Sequence, residues 1–493
     1  MNNKTDPTFE RIGHLLRLAS SLCDQLETDL LCCPGDEKIL QAAIQIGQAP
    51  SDRRSITKGF SRKERKRLAE LLEHRDENPK NSLDHLPHSK EGSPLLMLGL
   101  YRLILALDRT QSGTTEIDRI QSNSQGLCIY IKGPQAYCDL IPAQAEARYL
   151  SVALRRPIFL SCEQHPTPDK LARLPLDSKA IGVTRHDPIS LAAKKVLRFH
   201  FARMLHYEPG TRAGEDSEAL HKMRVATRRM RAAFGVFKPY FDAEATKPYR
   251  QALRDTARTL GDVRDLDVFR IKLERDLDRL PPEKQIKLDA VLPLWHRERE
   301  EARTALLRFL DSDSYQTFVH IFSTFLNRPE MRVAESETLL PAPYKLEHII
   351  PCVLYERFGH VQAYEGVLER ASLDQQHKLR IKVKRLRYAI EFMGDILGKE
   401  QKEIVPVLER MQDHLGDLND TKETDTILRT WLAQLNGQGV SHSDRKTDIE
   451  SIEIYLAVKR EQQARLQADF PQVWQQFDCP SFKKNMAKAI FDL

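Results

Sequence analysis

No stretch of this chain approaches the ~20 consecutive apolar residues that a membrane-crossing helix needs. The opening residues Met1-Asn2-Asn3-Lys4-Thr5-Asp6 also lack the apolar core of a secretory leader. Membrane insertion and export are therefore not expected. Cysteine is sparse and unpatterned: there are eight, with no CxxC spacing. Cys32-Cys33 is a vicinal pair, and Cys162-Glu163-Gln164-His165 is a lone CxxH with no second ligand pair. A disulfide framework and a zinc site are both disfavoured, and a reducing, cytoplasmic setting is expected. The most telling absence is local. Residues 219–241 hold six Lys/Arg and no Asp/Glu, and residues 375–390 do the same. Removing those twelve charges from the net +6 leaves the rest of the chain at −6. A mildly acidic protein thus carries two concentrated basic segments, the signature of a localised polyanion site.

The two segments are copies of one motif. His221-Lys222-Met223-Arg224-Val225-Ala226-Thr227-Arg228-Arg229-Met230-Arg231 returns 156 residues later as His377-Lys378-Leu379-Arg380-Ile381-Lys382-Val383-Lys384-Arg385-Leu386-Arg387. A second element follows each copy: Leu260-Gly261-Asp262-Val263-Arg264-Asp265 and, 155 residues on, Leu415-Gly416-Asp417-Leu418-Asn419-Asp420. A period this long marks a duplicated domain half, not a solenoid unit.

With 41% hydrophobic and 30% charged residues, 493 residues suffice for two to four core-forming units. Residues 9–75 carry apolar side chains at helical intervals (Ile12, Leu15, Leu16, Ala19, Leu22; Ile39, Ala42, Ala43, Ile46). Asp76 to Pro94 reads as a loop and 95–110 as a helix. Residues 127–161 contain strand-like runs such as Leu127–Ile131. Four prolines within 163–188 suggest a linker. From Ile189 onward the pattern is helical, with breaks at Glu208–Glu215, Pro281-Pro282, Ala334–Tyr344 and Asn436–Asp448.

At ~100° per residue, His221, Arg224, Arg228 and Arg231 share one stripe, opposite Met223, Ala226, Met230, Ala233, Phe234 and Phe237. Lys222 and Arg229 flank it. In the second copy His377, Arg380, Lys384 and Arg387 form the stripe, and Leu379, Leu386, Ile390 and Met393 the core face. Most basic stripes are simply solvated faces, but those interleave acids and bases at i,i+4. Here like charges stack, at a cost that a bound polyanion or carboxylates from neighbouring helices would offset. Arginine suits phosphate because its planar fork donates two parallel hydrogen bonds. Each histidine has an acid three residues upstream, Glu218 and Asp374, which allows a nucleophile reading. First-turn placement at a helix N-terminus explains those acids as well. With no metal-ligand cluster or general acid beside either histidine, catalysis is disfavoured. For Asp265 and Asp420 the plainer reading is interhelical ion pairs beside a glycine that permits close contact.

Both copies, with Leu260-Gly261…Arg264-Asp265-Leu266-Asp267-Val268, resemble a CHAD domain (conserved histidine α-helical domain) over roughly 187–490. The resemblance implies two pseudo-symmetric helical bundles enclosing a basic groove that binds inorganic polyphosphate. The binding residues would be His221, Lys222, Arg224, Arg228, Arg229, Arg231, Arg264, His377, Lys378, Arg380, Lys384, Arg385 and Arg387. Asn419 stands where the first copy has Arg264, so the two ends of the groove are not equivalent. Residues 9–165 resemble, more weakly, the HD-type C-terminal domain of the exopolyphosphatase/guanosine pentaphosphate phosphohydrolase family. The carriers are Gly59–Arg65, Leu68-Ala69…His74-Arg75, Leu105–Arg109 and the helix around His14. Its metal-binding His-Asp pair is replaced by Ile44-Gln45, which offers no competent ligand pair. The expectation is a mainly α protein: an HD-like domain with a few short strands (1–165), a linker (166–186) and two helical halves (187–335 and 336–493). It would bind polyphosphate in the cytoplasm, at polyphosphate granules, with no cofactor, metal or catalytic residue. The rivals are an RNA-backbone binder, for which only Tyr388 is placed to stack, and a metal-dependent phosphohydrolase using His14 and Asp108.

Overall fold

The computed structural model describes residues 7–26, 35–49, 53–76, 94–123, 126–163, 180–278, 291–328, 344–437 and 442–491. They are mainly helical, with one three-stranded sheet. Contacts divide the chain into two compact units. One takes Met1–Pro209, Phe237–Tyr249 and Thr317–Ile349; the other takes Gly210–Val236, Arg250–Gln316 and Ile350–Leu493.

The first unit opens with α1 (Pro7–Leu26), α2 (Asp36–Gln48), α3 (Arg53–Ile56) and α4 (Arg62–His74). α1 buries Leu15, Leu18, Ala19 and Leu22, the spacing that marks it as helical in the sequence. α4 starts at a capping box in which the Ser61 hydroxyl accepts from Glu64 N–H (3.2 Å) and Glu64 Oε2 from Ser61 N–H (2.6 Å). α5 (Pro94–Ala106) and α6 (Ala136–Leu154) are buried on nearly every side. They cross at Gly99, where a Cβ would stand 2.8 Å from the Leu150 backbone nitrogen, so only glycine fits.

The sheet joins β1 (Glu116–Asn123) antiparallel to β2 (Gly126–Lys132), and β2 parallel to β3 (Ile158–Cys162) across α6. The strand signal at Leu127–Ile131 is β2, whose residues 126–131 are buried. The strand-like runs expected within 127–161 are β2 and β3; between them lies α6, which the sequence did not mark. A helix buried all round shows no 3.6-residue alternation, and its Ala- and Leu-rich run carries no period to read.

α7 (Ile189–Ala213) places its first twenty-one residues, through Pro209, in this unit as well. Arg198 donates to Leu160 O and Gln144 Oε1, both at 2.7 Å, and lies over the Phe159 ring. Lys195 is 1% exposed, paired with Asp187 (2.8 Å) and bonded to Gly182 O (2.9 Å). The expected linker therefore ends early: Ile181, Val183 and Thr184 are buried. Residues 166–179 of it lie outside the described residues. The expected partition at 165, 187 and 336 differs from these units for the same reason. α7 carries buried side chains around its circumference and packs on β3 and α6. It also runs through the expected break at 208–213 before ending at Gly214, φ +72°. The breaks at Pro281-Pro282 and, apart from Tyr344, at Ala334–Tyr344 lie outside the described residues.

The second unit holds α8 (Ser217–Val236), α9 (Lys247–Asp278, from Arg250), α10 (Val291–Asp311), α12 (Leu346–Gln362, from Ile350), α13 (Leu373–Phe392), α14 (Gln401–Gly437), α15 (His442–Phe477) and α16 (Pro480–Phe491). The remaining helix, α11 (Asp313–Asn327), lies mostly in the first unit. One core cluster of the second unit gathers Phe269, Leu273, Trp295, Leu428, Trp431, Ile452 and Tyr455. Both indoles find hydrogen-bond partners: Trp295 Nε1 donates to Leu266 O (2.8 Å) and Trp431 Nε1 to Glu298 (2.7 Å). α15 starts at His442, inside the break expected over Asn436–Asp448.

Candidate functional site

The basic helices α8 and α13 lie against one another in the second unit. α13 starts at a capping box between Ser372 and Gln375; at the start of α8, Asp216 accepts from Glu218 N–H (2.7 Å). Met223, Met230 and Phe234 on α8, and Leu379, Leu386 and Ile390 on α13, are buried, so the core faces are those the sequence predicts.

The other faces converge on Lys384, which is half-buried. Burial pushes its ammonium pKa down, and the guanidinium groups of Arg228, Arg380, Arg224 and Arg231 add to the effect, bringing it to about 7. Arg228 is shifted down too, chiefly by burial; the Tyr388 phenol opposes, and Arg387, Arg224 and Arg229 reinforce. At one end, His221 is lowered by burial and then by Arg264, with Arg228 and Arg224 also contributing against Glu218. No carboxylate of the described residues pairs with Arg228, Arg231, Arg264, Arg380, Lys384 or Arg385. Arg224 is different, bonded to Asp265 of α9 at 2.6 Å. This concentration of unpaired cations is costly by itself and is suited to an anion that engages several at once.

Other members of the expected set are occupied. Arg387 is 8% exposed and pairs with Glu409 (2.9 Å) and Glu391 (3.6 Å). Arg229 reaches the same Glu391 at 2.7 Å, tying α8 to α13. These two arginines therefore brace the cluster through carboxylates. Lys222 and Lys378 form surface i,i+4 pairs with Glu218 (3.6 Å) and Asp374 (2.7 Å), so both acids carry ion pairs. His377 Nδ1 bonds Asn419 Oδ1 at 2.7 Å. Asp265 and Asp420 do form interhelical ion pairs, with Arg224 and Lys272 respectively. The glycines are not compelled by backbone contact: a Cβ at Gly261 or Gly416 would meet only side chains, at 3.8 and 3.5 Å.

Sequence reasoning misread one residue at the cluster and missed two. Tyr388, read as exposed enough to stack, is 1% exposed, and the guanidinium groups of Arg387, Arg229 and Arg228 lie 5.3–5.9 Å from its ring centre. Arg254 on α9 acts on Arg231, whose pKa is lowered first by burial. Arg357 on α12 is lowered by burial and then by Arg385, with Glu356 opposing. The i,i+4 row Arg250, Arg254, Arg258 was the available signal for α9. A lone Arg357 gave none.

The low pKa of Lys384 has a testable sign. A bound polyanion raises it towards the ordinary lysine range, so binding takes up a proton and strengthens as pH falls towards 7. Above that, this one group weakens affinity by up to about tenfold per pH unit. Titrations between pH 7 and 9 should show the trend in the wild type and lose it in Lys384→Arg; a flat wild-type profile would contradict it.

Among the described residues, the His14 and Asp108 of the rival metal-dependent reading are brought together, but not as a ready metal centre. His14 Nε2 lies 3.8 Å from Asp108 Oδ1, but Asp108 already accepts from Arg11 Nε (3.1 Å) and Gly113 N–H (3.0 Å). Ile44 is wholly buried. A guanidinium thus occupies the carboxylate a cation would need.

Residues 195–429 match the family model of the CHAD domain. The chain carries a CHAD domain. The match contains the whole cluster around Lys384 and both copies of the motif. A curated relative, an uncharacterized protein of Mycobacterium tuberculosis (strain CDC 1551 / Oshkosh), is 25% identical over 228 residues. That alignment covers 46% of this chain and 43% of the relative, so the chain spans less than half the length of the relative it matches. Among solved structures, the CHAD domain from the plant Ricinus communis aligns at 22% identity with a TM-score of 0.48, covering 59% of this chain and 92% of that one. PptA from Streptomyces chartreusis aligns at 15% identity and a TM-score of 0.43, covering 59% and 100%.

Proposed function

We propose that the CHAD domain binds inorganic polyphosphate at the cluster centred on Lys384, without turnover, and so holds the protein at polyphosphate granules. The observation that carries this reading is the convergence of Arg228, Arg231, Arg380 and Lys384 with no carboxylate of the described residues paired to them. A chain of phosphoryl groups supplies closely spaced negative charge and two or more acceptor oxygens per unit, which matches several guanidinium forks at once. Arg264 with His221 extends the cationic surface at one end, and Arg254 beside Arg231 extends it on α9.

RNA satisfies the same donors, but sequence-tolerant binding of single strands also draws on aromatic stacking. The aromatic side chain at this cluster, Tyr388, is covered. The full chain should therefore bind long polyphosphate in preference to RNA at equal phosphate concentration. Competition of labelled polyphosphate with unlabelled RNA measures this directly. Equal displacement per phosphate would favour the nucleic-acid reading. Polyphosphate shortened during incubation with Mg²⁺ or Mn²⁺ would refute binding without turnover.

A further inference from the structure

The duplicated motif repeats its first arginine and its last acid at matching positions, but the two acids hold different partners. Arg224 and Arg380 occupy equivalent positions in the two copies, as do Asp265 and Asp420. In the first copy, Asp265 bonds Arg224 at 2.6 Å and so competes with any incoming anion. In the second, Asp420 instead bonds the ammonium of Lys272 on α9, which also lies 3.6 Å from Asp417. Arg380 is left with no ion pair among the described residues, although its charge acts on the Asp413 carboxyl of α14.

Arg380 lies over the same stretch of α14 as that acid. Its guanidinium packs over α14 at Gly416, where a Cβ would stand 3.5 Å from Nη2. Asp420 follows one turn later on the same helix, on the same face. The bond between His377 and Asn419 fixes α13 to α14 at this level. Asp265 shows that an acid at this position of the motif can bond the arginine of the partner helix. What differs is the residue seven positions beyond the motif's last acid. In the first copy it is Lys272; in the second it is Ile427, which packs against the apolar cluster of Trp431 and Phe269. Only one acid of the pair therefore has an ammonium from the opposite copy to hold it.

Resting on the proposed function, we infer that Lys272 is a positioning residue: by holding Asp420 and Asp417 it keeps Arg380 open to the phosphate chain. The second copy supplies the ready half of the site. The first copy supplies an arginine that must first leave Asp265.

The experiment is a double-mutant comparison on the full chain, with long polyphosphate as the probe and circular dichroism as the folding control. Lys272→Met should weaken binding by roughly threefold to fivefold, the scale of one partly exposed ion pair formed at the ligand's expense. Asp420→Asn should restore affinity in the Lys272→Met background and change it by less than about twofold in the wild type, where Lys272 already holds the acid. In an Arg380→Ala background, Lys272→Met should have no further effect. If Lys272 contributed only general positive charge, Asp420→Asn would help equally in both backgrounds and the Lys272→Met loss would persist without Arg380. Either result overturns the inference, as does wild-type affinity in Lys272→Met. Should the wild type itself fail to bind polyphosphate, the proposed function fails, and the positioning role is then decided without ligand. A crystal structure of Lys272→Met with Asp420 bonded to Arg380 supports it; Asp420 without that bond refutes it.

Discussion

Replacing Arg380 and Lys384 together by alanine should weaken the binding of long polyphosphate by at least about tenfold, since each charge-assisted hydrogen bond contributes roughly 1.5–3 kcal/mol. Neither side chain has an ion pair among the described residues, so the loss falls on the ligand and not on the fold. The matching pair, Arg224→Ala with Arg228→Ala, should also weaken binding, but less. Arg224 already spends part of its bonding capacity on Asp265. Helical content should hold in both variants, because the buried faces of the two helices run through Met230 and Leu386. A short oligophosphate, able to reach one stripe only, should depend mainly on one pair. Isothermal titration with two chain lengths separates these cases. If Arg380→Ala/Lys384→Ala bound long chains like the wild type, the cluster would not be the site.

Salt should act more strongly still. Each neutralised phosphate releases condensed counterions, with a slope of ~0.7 per contact for single strands as the nearest guide. With Arg228, Arg231, Arg264, Arg380 and Lys384 engaged, plus one of the flanking cations, affinity should fall by roughly two orders of magnitude between 50 and 200 mM salt. The Arg380→Ala/Lys384→Ala variant should show a slope shallower by about one to two contacts. Affinity independent of salt would leave the electrostatic account without support. The two measurements are linked. A variant that loses affinity but keeps the full slope has lost something other than its phosphate contacts.

The sequence made the basic stripes legible because a duplicated motif repeats both its charges and its apolar positions, and the buried positions of α8 and α13 follow that pattern. It could not distinguish an open cation from a paired one. Arg387 and Arg380 look alike in the motif, yet the first meets Glu409 on α14 and the second meets glycine. That difference depends on which side chains a neighbouring helix presents, and no spacing within α13 encodes it. Tyr388 misled for a related reason: its position beside the basic stripe suggested exposure, but three guanidinium groups roof it. In the N-terminal region the amphipathic helices α1 and α2 were readable. α6 was not, because burial on all sides erases the periodicity on which such readings depend.

α7 bears on how this protein can be divided. The family match begins at residue 195, in the middle of a continuous helix, while the contact boundary falls after Pro209. A fragment starting at 187 would strip Arg198, now 1% exposed, of its acceptors Leu160 O and Gln144 Oε1 and of the Phe159 ring. Lys195 would keep Asp187 but lose Gly182 O. The segment the family model matches therefore does not coincide with a unit of packing: it begins inside a helix anchored in the preceding region's core.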